Sequence, residues 1–180
     1  MQPTIKRLLP DTTKGWEAVD EYKRYLSRME LAKSLGLSEI EQSSDSLEVR
    51  VWWQASIYSP SSVWVINGQA DSLNAKRIDY YPNYTTGQID SSHVVELRPK
   101  FGRWNDYFHS VNFASIWEMP PYYHIGRGRG CVDGETITIE AFDKERYKTV
   151  SYPCYTLYRD SSFYNRFTTV AEQLMALREN

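Results

Sequence analysis

Apolar and polar residues alternate most cleanly between Leu47 and Tyr58. Leu47, Val49, Val51, Trp53, Ala55 and Ile57 fall on one side, and Glu48, Arg50, Trp52, Gln54, Ser56 and Tyr58 on the other. A period of two is that of a strand with one face buried. The same period returns near the other end of the chain, where Ile137, Ile139 and Ala141 oppose Thr136, Thr138 and Glu140. After Asp143-Lys144-Glu145 a second β-branched and aromatic run leads from Arg146 to Cys154, which together read as a hairpin. A three-residue link would set Glu140 opposite Lys148, a cross-strand ion pair. Shorter runs at Val63–Ile66, closed by the turn dipeptide Asn67-Gly68, at Ala75–Tyr81, closed by Pro82, and at His93–Arg98 complete an antiparallel meander.

Helical spacing appears in three places. Trp16, Val19, Tyr22, Leu26 and Met29 recur at steps of three and four before Gly36, with Asp11, Thr12 or Thr13 ahead of them as caps. The charged residues off that stripe, Glu17, Glu21, Lys23, Arg24 and Arg28, read as a solvated face. Trp104, Tyr107, Phe108 and Val111 give a short second helix, and Phe163, Phe167, Val170, Leu174 and Leu177 a closing amphipathic one. Residues 1–13, with Pro3 and Pro10, read as an irregular lead-in. The expected architecture is one α+β domain over residues 1–180. It has an antiparallel sheet of about six strands, a meander plus the C-terminal hairpin, with the N- and C-terminal helices packed on one face.

Composition narrows the function more than it defines it. A formal charge of -2 over 180 residues argues against a nucleic-acid binder, which carries a basic excess. No apolar run of about 18 residues occurs, so a spanning helix is not expected. The start of the chain lacks the apolar core of a signal peptide. The default location is therefore cytoplasmic, or periplasmic or secreted if Met1 stands in place of a removed leader. With 14 Tyr and 6 Trp, the chain has more rings than one core of this size requires. Surface Tyr, Trp and Arg are favoured in recognition, which singles out Trp52, Tyr58, Tyr80, Tyr81, Tyr84, Tyr122 and Tyr123. Arg127 and Arg129 of the Gly126–Gly130 segment join them as forks for an anion or an acidic partner.

Catalytic patterns are sparse. His93, His109 and His124 lack metal-ligand spacing, and no Gly-x-Ser-x-Gly elbow or phosphate-binding loop occurs. No cofactor is implied. Cys131 and Cys154 bracket the hairpin. They stand three positions out of register, roughly 10 Å along a strand, so a disulfide needs a bulge or fold-back at Asp133-Gly134. The competing reading pairs Cys131 with His124 as a nucleophile and base, with Glu140 nearby.

The order Phe113…Trp117, Asp133-Gly134, Glu140, Tyr147 and Pro153, then an amphipathic helix, resembles a scattered group of small bacterial proteins with no assigned activity. The resemblance spans roughly residues 104–177 and implies the order of the elements, with no mechanism. Taken together, these features lead to a non-enzymatic protein-binding module of the bacterial immunity or inhibitor type, acting by covering a partner's surface. The alternatives are a small-ligand or glycan binder using exposed rings, and a hydrolase-type enzyme using His124, Cys131 and Glu140.

Overall fold

The computed structural model describes residues 5–54, 60–69, 72–83, 85–125, 134–153 and 162–180. Its strands are β1 (Lys6–Leu8), β2 (Leu47–Gln54), β3 (Ser61–Gln69), β4 (Ser72–Pro82), β5 (Ile89–Pro99), β6 (Thr136–Phe142), β7 (Arg146–Pro153) and β8 (Leu177–Glu179). The helices are α1 (Trp16–Ser34), α2 (Trp104–Ser110), α3 (Phe113–Glu118) and α4 (Ser162–Met175). All eight strands join one open sheet in the order β1-β7-β6-β2-β3-β4-β5-β8. Every neighbouring pair is antiparallel except β1 with β7. The α+β class and the meander-plus-hairpin order are as expected. Eight strands rather than six arise because the lead-in and the tail each add a three-residue strand to an edge.

The two long helices take opposite faces, not the shared face expected. Val49 and Val51 of β2, Ile66 of β3, Ile137 and Ile139 of β6 and Val150 of β7 pack with Phe167, Val170, Ala171 and Leu174 of α4, and with Tyr107 of α2 and Ile116 of α3. On the reverse face Trp52, Val63, Val65 and Ile78 meet Ala32 of α1 and Leu37 just beyond it. Tyr25 of α1 meets Phe142 and Tyr147 there. The sheet is thus buried on both sides, and its polar alternates had to find partners under a helix rather than in water.

That requirement turns α1. Its buried residues are Ala18, Glu21, Tyr25, Arg28 and Ala32, a row at steps of three and four rotated away from the apolar stripe. Trp16 is 68% and Leu26 45% exposed, whereas Glu21 and Arg28 are buried. The expected solvated face therefore surrenders two charges to the interior. The helix does end where expected. Leu37 N–H reaches the Ala32 carbonyl at 2.9 Å and Gly36 N–H the Lys33 carbonyl at 2.9 Å, with Gly36 at φ 70°. This left-handed C-cap points Leu37 back into the core.

The link of the β6–β7 hairpin is one residue longer than expected, four residues from Asp143 to Arg146. Phe142 pairs with Tyr147 and Glu140 with Thr149. Asp143 sets the turn: its side chain accepts from Arg146 N–H at 2.8 Å, its own N–H meets the Arg146 carbonyl, and Lys144 takes φ 70°. A one-residue shift sends every β7 side chain to the other face. Lys148 accordingly leaves Glu140 and donates on the α4 side to the carbonyls of Trp117 (2.8 Å) and Met119 (2.5 Å) at the end of α3. Burial, and then the Arg166 charge, bring its ammonium down from 10.5 to about 8.

Asn67-Gly68 lies inside β3 rather than in the turn, since pairing with β4 runs on to Gln69 and Ser72. Gly68 sits at φ 133°, and a Cβ there would lie 2.3 Å from the Ser72 carbonyl oxygen. Gly68→Ala should lower unfolding stability by about 2–4 kcal/mol through strain and backbone displacement. A urea midpoint equal to that of the unaltered protein would contradict this.

Candidate functional site: a polar layer beneath the first helix and an open half-sheet above it

Cross-strand register brings Arg50, Trp52, Glu140 and Thr149 together on the α1 face. Glu140 is 4% exposed and Trp52 is fully buried. One Glu140 carboxylate oxygen accepts from Tyr147 Oη at 2.9 Å and from Arg28 Nε at 3.4 Å; the other accepts from Trp52 Nε1 at 2.6 Å. Arg28 also donates to Thr149 Oγ1 at 2.7 Å. Burial, and then the neighbouring carboxylate, hold the Tyr147 phenol well above its usual range, so it remains a donor. Beside this group Arg50 donates to Glu48 at 2.8 Å and to the Ser38 carbonyl at 2.6 Å.

A cavity of about 130 Å³ lies between this layer and the segment after α1, lined by Tyr25, Arg28, Arg50, Glu140 and Tyr147, with the Arg7–Glu41 ion pair toward solvent. Its guanidinium groups are each engaged by a carboxylate. Such a layer positions helix and sheet chemically.

Glu140 is therefore a structural anchor and not the partner of Lys148. His124 is exposed in the short helical turn Tyr122–His124, and no hydrogen bond or ion pair joins it to Glu140 among the described residues. Cys131, Asp133 and Cys154 lie outside the described residues, as do Tyr58, Tyr84, Arg127 and Arg129. Among the described residues no group of three or more His, Cys, Asp or Glu is placed to hold a metal ion, and no helix is long and apolar enough to cross a membrane.

The expected contact rings divide. Trp52 and Tyr80, at 0% and 1% exposure, belong to the interior: α1 covers the face on which Trp52 stands. Tyr122 and Tyr123 are half-buried. The Tyr122 ring lies 6.5 Å from Tyr152, and the Tyr123 hydroxyl accepts from Asp11 N–H at 3.1 Å, tying down the lead-in. Tyr81 is 52% exposed.

Tyr81 stands on the α4 face, but on the half of the sheet where Trp53 and Trp64 are only partly covered. Trp53 pairs with Ser62 and Val51 with Trp64, so the two indoles are diagonal neighbours. Trp53 Nε1 donates to Glu135 at 3.2 Å. Arg77 lies 6.0 Å above the Trp64 ring, forks onto Asp79 at 2.9 and 3.1 Å, and reaches Glu179 at 2.9 Å. Asp79 in turn accepts from Ser62 at 2.6 Å, and His93 pairs beside it on β5. Two indoles, a phenol, a guanidinium and a carboxylate thus share one partly open surface of β2–β5. Alternation assigned Trp53 to the core and left Trp64 and Arg77 unremarked. The detectable signal was a tryptophan on each of two consecutive strands with an arginine on the third. No family model, curated protein or solved structure matches the chain.

Two outcomes follow from the buried charges. Glu140→Ala strands the Arg28 guanidinium and should cost about 3–5 kcal/mol, whereas Arg28→Met with Glu140→Leu should recover most of the loss. Urea unfolding of both variants measures this, and equal losses would refute the pairing. Glu21, 8% exposed, has neither carboxylate oxygen hydrogen-bonded among the described residues. Burial raises it from 4.5 to about 7 against the pull of Arg28 and Arg24. The unfolded chain releases this proton near pH 4.5 while the folded one holds it to about pH 7. Stability should therefore fall as pH rises across that window and level off above it. Glu21→Gln should match the unaltered protein at about pH 4 and exceed it at about pH 8 by roughly 2–3 kcal/mol in urea midpoints.

Proposed function

We propose that the chain is a protein-recognition module whose contact surface is the open half of the sheet. The observation that carries this reading is the placement of Trp53, Trp64 and Tyr81 with Arg77 on a sheet face that the helices leave partly uncovered. Rings already packed against a rigid sheet lose little side-chain freedom on contact, and Trp, Tyr and Arg are the residues that dominate interface energies. The Arg77–Asp79–Glu179 row supplies charge of both signs for orientation, while its fixed geometry penalises a partner that cannot match it. A partner covered by this face would be occluded rather than modified, as expected of an inhibitor or immunity-type protein. Engagement of Glu140 by Trp52, Tyr147 and Arg28 favours this reading over the hydrolase alternative.

Affinity capture from the source organism tests the proposal. The unaltered protein should retain a partner that Trp64→Ala with Tyr81→Ala releases, with circular dichroism showing both proteins folded. Tyr122→Ala with Arg127→Ala should retain it. The reverse pattern would place recognition at the Tyr122–Arg129 segment and overturn the assignment to the sheet.

A further inference from the structure

The cavity beneath α1 has two unlike walls. Tyr25, Met29 and Ala32 of α1, with Leu37 and Ile40 beyond it, make one that is mainly apolar. Arg28, Arg50, Glu140 and Tyr147 make the other. Arg28, Arg50 and Glu140 are only 4%, 3% and 4% exposed, so the charged wall belongs to the interior and not to the surface.

Hydrogen-bonding capacity on that wall is unevenly used. Glu140 accepts three bonds. Arg28 is divided among Glu140, Thr149 and the Arg24 carbonyl. Arg50 engages Glu48 and the Ser38 carbonyl through Nε and Nη2, and its Nη1 bonds to no described residue. Arg7, at the mouth, holds Glu41 with Nε and Nη2 and likewise leaves Nη1 over. The unused groups are therefore donors, and a guanidinium has no acceptor to offer in their place. Their complement is an acceptor that carries negative charge. Water can meet the N–H groups but gains nothing from the apolar wall opposite. A molecule with an acidic head and an apolar body satisfies both walls.

Size and access narrow the ligand further. The volume of about 130 Å³ is close to the ~150 Å³ that accommodates benzene, which allows a guest of about six heavy atoms. Arg7, Glu39 and Glu41 border both the cavity and the broad surface groove outside it, where Phe142 and Lys144 also stand. The Arg7–Glu41 pair is thus the boundary between the two, with the Arg7 side chain 60% exposed. An ion pair so exposed contributes little stability, and it can part and re-form as a ligand passes.

We propose that this cavity binds a small carboxylic acid with a short, branched apolar body, its carboxylate on Arg50 and its body against Met29, Leu37 and Ile40. The site shares no residue with the Trp53–Trp64–Tyr81 surface and stands independently of the recognition proposal.

Isobutyrate is a probe of the right size. Titrated into the unaltered protein at neutral pH, it should shift the methyl NMR signals of Met29, Leu37 and Ile40 saturably, with a Kd of about 1 mM or below. Isobutyramide has nearly the same shape without the charge and should bind on the order of tenfold more weakly. Arg50→Lys keeps the charge and removes the spare nitrogen. It should bring the acid down to the level of the amide, whereas a purely structural role for Arg50 would weaken both alike. Ala32→Leu fills the cavity from the helix and should abolish binding of either compound. Circular dichroism establishes that each variant is folded, and if one is not, the comparison of acid with amide on the unaltered protein decides alone. Equal binding of acid and amide, shifts confined to residues away from the cavity, or no saturation up to about 50 mM would each overturn the proposal. So would undiminished affinity in folded Arg50→Lys or Ala32→Leu. Trp64→Ala with Tyr81→Ala should bind isobutyrate unchanged, so failure of the recognition proposal and failure of this one are separately visible.

Discussion

A single carboxylate, Glu140, has to be accommodated in the interior, and much of the arrangement around it follows. A buried carboxylate without partners is prohibitively unfavourable. Here the partners come from three places: Trp52 from the neighbouring strand, Tyr147 from the other arm of the hairpin, and Arg28 from α1. Each of those groups is itself buried and has its polar atoms directed by the same contact. The interaction thus fixes which face of α1 meets the sheet, which register β7 adopts and where Trp52 points. Hydrophobic burial supplies most of the driving force, but apolar contacts alone would tolerate a rotated helix or a slipped strand more readily.

The same constraint explains why the partly open rings lie on the other face. Of the rings expected at the surface, Trp52 and Tyr80 serve the interior, Trp52 as a donor to Glu140; other rings are used there too, Tyr147 as a second donor to Glu140, Tyr152 stacked 4.3 Å from Phe167, and Tyr107 donating to the Leu174 carbonyl. What remains partly open is a band of β2–β5 away from α4. An α4-covered core and an uncovered half can coexist on one face because the covering helices lie toward Leu73, Ala75 and Leu97, and not toward Asp79 and His93.

Much of this was legible from residues alone. Alternation located β2, β4, β5 and the β6–β7 hairpin, and helical spacing located α1, α2 and α4. The errors have distinct causes. Periodicity orients a helix by assuming that charge faces water, and Glu21 and Arg28 violate that assumption because Arg28 finds a partner 112 residues away. The hairpin register depends on Asp143 accepting from Arg146 N–H, a local hydrogen bond that pattern counting does not see. Strands β1 and β8 are too short to show alternation, and each is defined by a distant edge that needs a neighbour. For the site, the pattern identified rings but not their faces: Trp52 and Trp53 exchange expected roles because both sides of β2 are covered at one end and only one side is left partly open at the other.

The strand order also dictates how the chain can assemble. β2 to β5 is a run of sequential neighbours, and β6–β7 is a local hairpin, so each can form early from nearby segments. Their union requires β6 to find β2, a contact that spans 88 residues between Trp52 and Glu140. The Glu140 side chain has its full set of donors only when β2, β7 and α1 are all in place. The β2–β6 seam, with its one buried polar latch, is thus where two locally connected halves have to be matched in register.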